Sequence, residues 1–401
     1  MNKKISLGVA ISLVAIACAI TFVLTWTVSL NIYNSKISSS EKYEGVYAKL
    51  REMDVTVRNN YIGELNDDML EQSIINGYVV GIGDKYASYM SSASYYELQQ
   101  TTSGVISGAG IVTEEDGSGY LTITTVYKGG SAELNGVQAG DVITEIDGRS
   151  LLSMEEGTAA EKLSGDVGTR VALKLLRDGE EISVNLVRQQ LDIESVTGEM
   201  LENNIGYISI TAFNAKTSEQ FAEVLAKLMD GGAKALIIDV RQNGGGLVSA
   251  LKPILNRFIS AGIVATAEFS DGSRKTLIET DADEYINIPM AVLVDGGTAS
   301  AAEIFAAALR DECSALLVGT QTCGKGVIQN TYEFSDGSAI TISTAKIISS
   351  KTGEYDGVGL KPDYVTELPT GALPENISRD TDAQLQKAVE VLTPTAAAAE
   401  K

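Results

Sequence analysis

Apolar residues recur at intervals of three and four from Glu41 to about Gln100, with Val46, Leu50, Met53 and Val57 in one run and Met69, Leu70, Ile74 and Ile75 in the next. That period predicts two or three amphipathic helices, closed by Gly83-Asp84-Lys85-Tyr86-Ala87-Ser88-Tyr89. Between about Thr102 and Gln190 the pattern shortens to β-rich runs divided by glycine turns. These are Tyr120 to Val126, Asp141 to Ile146, Val171 to Leu176 and Ile182 to Val187, with one helix near Met154 to Leu163. From Asn204 onward strands and helices alternate. Strands are expected at Ile205 to Ile210, Ala235 to Val240 and Met290 to Val294, and helices at Ser218 to Met229, Leu247 to Ile259 and Ala299 to Arg310. Such alternation predicts an α/β domain with largely parallel strands. After Leu368 come a Pro-containing stretch, a short helix from Thr381 to Leu392, and an Ala-rich end with the composition of disordered chain.

The amino terminus has a different texture. After Lys3 and Lys4, no charge occurs from Ile5 to Leu30, and about 20 apolar residues suffice for a helix to cross a bilayer. The segment is expected to be a single-pass anchor, with the lysines cytoplasmic and everything after Asn31 outside the cytoplasm. A cleaved signal peptide ending at Ala17-Cys18-Ala19 is the alternative. The apolar run continues through Ile20, Phe22, Val23, Leu24 and Trp26, which favours the uncleaved anchor. A lipid-modified Cys18 is disfavoured for the same reason, and Ala15-Ile16-Ala17 is an imperfect match to the motif it needs.

Composition narrows the chemistry. A formal charge of −22 and no basic stripe argue against nucleic acid as a partner. The chain contains no histidine, which removes Ser-His-Asp and Cys-His catalysis and every His-ligated zinc site. Cys18, Cys313 and Cys323 are too few and scattered for a disulfide scaffold or a four-thiolate metal site, and a Cys313 to Cys323 bridge is the minority alternative. No metal or cofactor is expected.

Met290 to Phe305 reads as a buried strand, a glycine turn and a helix start, which places Ser300 near a helix amino terminus. Free N-H groups there can stabilise an oxyanion. The bland alternative is that Ser300 and Glu303 form only a helix capping box. Thr322 to Gln329 adds a glycine-flanked lysine, Lys325, between strands. A lysine accepts a proton at neutral pH only where burial lowers its pKa; otherwise it is a surface turn residue. Gly319 to Lys325 also matches a phosphate-binding loop in all but its last position, where Gly326 replaces the Mg²⁺-binding hydroxyl. The strand-like Val327 to Phe334 that follows disfavours that reading. Upstream, Ile237 to Leu247 is a strand ending in a polar turn and Gly244-Gly245-Gly246, where N-H groups can approach a ligand oxygen.

Taken together these segments resemble the carboxyl-terminal processing proteases, serine proteases with a PDZ domain ahead of a Ser-Lys core. The resemblance spans Glu41 to Leu392 and rests on Asp-Val-Arg-x-Asn-x-Gly-Gly, Thr-Ala-Ser-Ala-Ala-Glu-Ile and Gly-Lys-Gly-x-x-Gln in the family's order and spacing. It implies that Ser300 attacks, Lys325 takes and returns the proton, Gln329 orients the lysine, and the N-H groups of Gly246 and Ala301 form the oxyanion hole. It further implies that Gly108, Ala109, Gly110 and Ile111 hold a peptide carboxyl terminus, by adding the peptide to a sheet edge. Ser131-Ala132-Glu133 and Val137 to Asp141 match the PDZ pattern more loosely. Two departures stand out in the core: Gly244 replaces a frequent proline, and Cys323 replaces an aromatic residue beside the lysine.

The expected architecture is an α/β protease core of the crotonase and Clp-protease type with an inserted β-rich PDZ domain and a helical amino-terminal segment, after one transmembrane helix. The divisions fall at residues 1–37 (stub, anchor and linker), 38–101 (helices), 102–190 (PDZ), 191–369 (protease core) and 370–401 (helix and tail). The expected function is endopeptidase cleavage of extracytoplasmic proteins near free carboxyl termini, with a homodimer or regulatory partner left open. A non-enzymatic PDZ adaptor and a partner-gated signalling protease are the alternatives.

Overall fold

The computed structural model describes Thr21 and residues 44–115, 118–154, 158–374 and 376–393. Apart from Thr21, the apolar segment Ile5 to Leu30 lies outside them, as does the Ala-rich end. Among the described residues no helix is long and apolar enough to cross a membrane.

The amino-terminal helices are α1 (44–60) and α2 (Asp67–Ile82). From residue 76 onward the chain forms one compact unit. It opens with a short strand β1 (Ser88–Met90) and helix α3 (Ser92–Ser103), which ends on Gly104 in the left-handed conformation. A two-stranded ribbon of β2 (Val105–Gly108) and β9 (Gln189–Asp192) then leads into and out of the β-rich domain.

That domain contains β3 (Ile111–Glu115), β4 (Leu121–Val126), α4 (Ser131–Leu134), β5 (Val142–Ile146), β6 (Arg149–Ser150), α5 (Thr158–Leu163), β7 (Arg170–Arg177) and β8 (Glu180–Val187). The strands order as β3-β4-β5-β7-β8, so β3 pairs on one side only and leaves an open edge. Alternate residues of β7, Val171, Leu173 and Leu175, are buried with Ile123, Ile143 and Leu186 in a core of its own. This is the period-2 signature of a sheet with one wet face.

The remaining elements are β10 (Val196–Met200), β11 (Ile205–Ile210), α6 (Thr217–Asp230), β12 (Ala235–Asp239), α7 (Leu251–Leu255), β13 (Gly262–Glu268), β14 (Arg274–Thr280), β15 (Met290–Val294), α8 (Ala301–Cys313), β16 (Leu316–Gly319), β17 (Val327–Glu333), β18 (Ala339–Ser349), β19 (Gly353–Glu354), β20 (Tyr364–Val365) and α9 (Ala383–Leu392). One sheet runs β10-β11-β12-β15-β16-β20 and is parallel except at β10. Ile238, Val292 and Val294 face α6, α7 and α8, while Ile237, Ala291 and Leu293 face α9. Burial on both faces explains why β12 and β15 read as continuous apolar runs.

Two expectations are corrected. The core is not largely parallel, because β13, β14, β17 and β18 build a second, antiparallel sheet that β1 joins at an edge. Nor is there one helix from Leu247 to Ile259: Val248–Ala250 is a 3-10 turn and α7 begins at Leu251. Pro253 is the cause, since in a longer helix its ring would strike the carbonyl of Ser249, whereas in a first turn it is tolerated.

Candidate active site

The Ser300 turn connects the end of β15 to α8. Its backbone sits at φ 53°, ψ −117°, in the region of positive φ where a side chain costs about 1–3 kcal/mol. Neighbouring loops fix it. Asp295 Oδ1 accepts the N-H groups of Gln242 at 2.9 Å, Gly297 at 3.0 Å and Thr298 at 3.1 Å. The Ala299 N-H donates to Asn243 O at 2.9 Å. A Cβ on Gly245 would fall 2.9 Å from both Ala301 N and Ser300 Cβ, so the glycine loop is pressed directly onto the serine turn.

The two N-H groups expected to form an oxyanion hole are free of protein acceptors among the described residues. Gly245 O and Leu247 N both bond to Phe213, and alternation along an extended chain turns the intervening Gly246 N-H to the opposite side. Ala301 opens α8 and has no intrahelical partner for its N-H.

Glu303 joins this turn to the lysine loop. It is fully buried. Its Oε2 accepts the Ser300 N-H at 3.0 Å and the Lys325 N-H at 2.8 Å, while Oε1 accepts the Gly324 N-H at 2.8 Å and the Thr322 hydroxyl at 2.5 Å. Thr322 Oγ1 in turn accepts the Leu360 N-H at 2.7 Å. The capping-box spacing is therefore real, but the carboxylate also holds a loop some twenty residues further along. Sequence reasoning stopped at the cap.

Lys325 is half-buried, and burial pushes its ammonium below the ordinary lysine value, with Cys323 and Asp84 acting in the opposite sense. No hydrogen bond joins its amine to the Ser300 hydroxyl or to Gln329 among the described residues. The Gln329 amide instead donates to Tyr86 O at 2.7 Å. Tyr86 also donates its hydroxyl to Gly324 O at 2.8 Å, and its ring centroid lies 5.5 Å from Lys325 Nζ. In the sequence Asp84 and Tyr86 mark only the end of a helical segment, and the Asp-Lys-Tyr cluster directly after Gly83 is the signal that could have found them.

Lys325 is followed by strand β17, not by a helix, so the phosphate-loop alternative lacks the helix amino terminus it requires. Cys313 and Cys323 are both free thiols. Burial pushes the Cys313 thiol up to about 11. Among the described residues no group of acidic and thiol side chains is arranged to hold a metal.

Gly108, Ala109, Gly110 and Ile111 lie together along a groove of about 220 Å³. One wall is the open edge of β3 and the other is the end of α5 at Leu163 and Ser164. Helix α3, outside the β-domain, borders the same groove with Glu97, Gln100 and Thr101, and Gln100 Oε1 accepts the Ser107 N-H at 3.0 Å.

A serine on a strained strand-to-helix turn and a half-buried lysine on a loop tied to that turn through Glu303, in a chain that also carries an inserted β-domain with an edge-strand groove, point to a serine hydrolase. The comparisons agree. Residues 204–366 match Peptidase family S41 and residues 122–177 match a PDZ domain. The chain is 32% identical over 372 residues to the carboxy-terminal processing protease CtpA of Bacillus subtilis (strain 168), covering 92% of this chain and 78% of that one. It is 32% identical over 327 residues to a carboxyl-terminal-processing protease of Synechocystis sp., covering 80% and 76%. Among solved structures it matches a photosystem II D1 C-terminal processing protease at 26% identity and a TM-score of 0.46, covering 88% of this chain and 92% of that chain. The chain belongs to Peptidase family S41, the carboxyl-terminal processing serine proteases. The adaptor alternative is thereby set aside.

Proposed function

We propose that Ser300 and Lys325 form the catalytic pair of an endopeptidase that cleaves proteins near their carboxyl termini. Ser300 Oγ attacks the scissile carbonyl carbon as its proton passes to the neutral Lys325 amine. The N-H groups of Gly246 and Ala301 receive the charge on the carbonyl oxygen. Collapse of the tetrahedral intermediate breaks the C-N bond, and Lys325 returns the proton to the leaving amine. Water, deprotonated by the same lysine, then hydrolyses the acyl-enzyme. Gln329 orients the lysine in this scheme.

The observation that carries the reading is Glu303 Oε2, on which the N-H groups of Ser300 and Lys325 converge in a chain with no histidine to serve as base. The hydrogen bond from Ser300 to Lys325 is unmade here, as is common in unliganded sites. We assign residues 102–190 to the PDZ domain and 191–369 to the protease core, of crotonase and Clp-protease type. A substrate tail would add to the free edge of β3 with its carboxylate at Gly108 to Ile111.

Incubating an unfolded protein with the full chain and with Ser300→Ala tests the assignment. Cleavage by the first only is expected, and equal cleavage by both contradicts it. The segment Ile5 to Leu30 is assigned as a single-pass anchor with the catalytic part extracytoplasmic. Retention of the chain in alkali-washed membranes, with the core open to external protease, is the expected outcome.

A further inference from the structure

Tyr86 lies more than two hundred residues from the lysine loop in sequence, yet it makes three separate contacts with that loop and the strand that follows it. We propose that Tyr86 is a positioning residue for the reaction: it fixes the loop that carries the base, faces the base's amine, and sets the orientation of the Gln329 amide. This rests on the reading of Lys325 as general base.

The first contact is the phenol hydroxyl, which donates to Gly324 O at 2.8 Å, on the residue immediately before Lys325. The second is the ring, whose centroid is 5.5 Å from Lys325 Nζ. The third is the backbone carbonyl, which accepts the Gln329 Nε2 proton at 2.7 Å. With its donor end held, Gln329 keeps Oε1 as a free acceptor, and no donor engages that oxygen among the described residues. Lys325 Nζ makes no hydrogen bond among them either. An acceptor and a donor that both neighbour Tyr86 are thus left unfilled among the described residues.

Tyr86 is itself well anchored. Asp84 Oδ1 accepts the Tyr86 N-H at 3.0 Å, and the same carboxylate accepts the Ser343 N-H at 2.8 Å and its hydroxyl at 3.0 Å. Ser343 is the cross-strand partner of Gln329 in the β17-β18 pair. Just beyond, β1 pairs with β18 through Ser88 and Thr341. The segment is therefore docked at the register that bears Gln329, and Tyr86 cannot drift without breaking strand pairing.

Two effects of the ring on Lys325 oppose each other. Its face attracts the ammonium, but weakly, because Lys85 Nζ lies nearer the same ring centroid, at 4.4 Å against 5.5 Å. Its bulk also keeps water from the amine, and burial is the dominant influence on this group. The charged and titratable neighbours are Cys323 on the lysine's own loop and Asp84 on the docked segment, with Lys85 and Asp356 around the same tyrosine. Removing the ring leaves those charges in place and hydrates the amine, so the pH at which the base becomes neutral rises.

Kinetics of the full chain against pH test this with Tyr86→Ala and Tyr86→Phe, alongside Lys325→Ala. Tyr86→Ala is expected to lose kcat by about tenfold or more through misplacement of the base, with KM little changed and the rising limb of kcat/KM moved to higher pH. Both variants keep the backbone carbonyl, but Tyr86→Phe also keeps the ring, so it is expected to return the limb to its wild-type position with a few-fold loss of kcat. A wild-type limb in Tyr86→Ala, whether activity is retained or falls only in parallel with the folded fraction, overturns the inference. Activity in Lys325→Ala would instead overturn the assignment of the base, so the two failures are distinguishable.

Discussion

Ser300 combines a positive φ with a side chain, and this has a measurable consequence. Glycine adopts that conformation freely, while alanine does not. Ser300→Gly and Ser300→Ala are both expected to be inactive, but the glycine variant is expected to be about 1 kcal/mol more stable in urea unfolding, the relieved strain outweighing its added chain entropy. Equal stabilities would mean that the turn holds no strain. Glu303 is the second residue with a sharp expectation. It accepts four donors, so Glu303→Gln must turn an NH₂ toward N-H groups. A loss of about 3 kcal/mol or more is expected, with activity lost as well. For Lys325 the sign follows from the role proposed for it: with the neutral amine as base and burial lowering its pKa, activity is expected to rise with pH through that lowered value. Lys325→Arg is expected to fold and stay inactive, because arginine keeps its proton. At this scale Ser300, Lys325 and Gln329 were legible as motifs, whereas the joint grip of Glu303 on two loops was not. Spacing of three residues exposes a cap, but no local pattern marks a carboxylate that a distant loop folds onto.

Among the elements, those with strong local periodicity were read closely. Ile205–Ile210 and Met290–Val294 were placed to the residue, and Thr217–Asp230 within one at each end. The antiparallel sheet escaped because the pairing that unites its two local hairpins is distant, as with Ala265 opposite Ser349, and because Gly262–Glu268 shows no clean alternation of apolar and polar positions. Helix α9 was seen, but its attachment was not. Arg241, in the Asp-Val-Arg segment, is buried between Asp239 at 2.6 Å and Asp382 at 2.9 Å, and also donates to Gln384 Oε1 at 2.9 Å. Its conspicuous charge is neutralised within the fold. Asp382 also caps α9 by accepting the Gln384 and Leu385 N-H groups. Asp382→Ala is therefore expected to destabilise the core by about 3–5 kcal/mol, leaving a buried guanidinium half-compensated. A change below 1 kcal/mol would contradict this role.

For the whole molecule, two routes connect the groove with the Ser300 and Lys325 loops. Helix α3 borders the groove, and the residues just before it reach Lys325 through Tyr86. The β2-β9 ribbon and Gly104, whose carbonyl accepts the Ile193 N-H at 2.8 Å, form the mechanical link on the other side. A tail in the groove is expected to shift the Ser300 and Lys325 loops toward whichever arrangement it binds more tightly. A peptide ending in small apolar residues is expected to accelerate cleavage of an unrelated substrate, and its amidated form is not. Inhibition by the free peptide would identify the domain as a tether only.

The pairing of Ser300 with Lys325 is tested most directly by exposing the full chain to a fluorophosphonate and locating the adduct by mass spectrometry across a range of pH. The account predicts a single adduct on Ser300, formed faster as pH rises and absent in Lys325→Ala. An adduct at another residue, or labelling of Lys325→Ala at the wild-type rate, would contradict it.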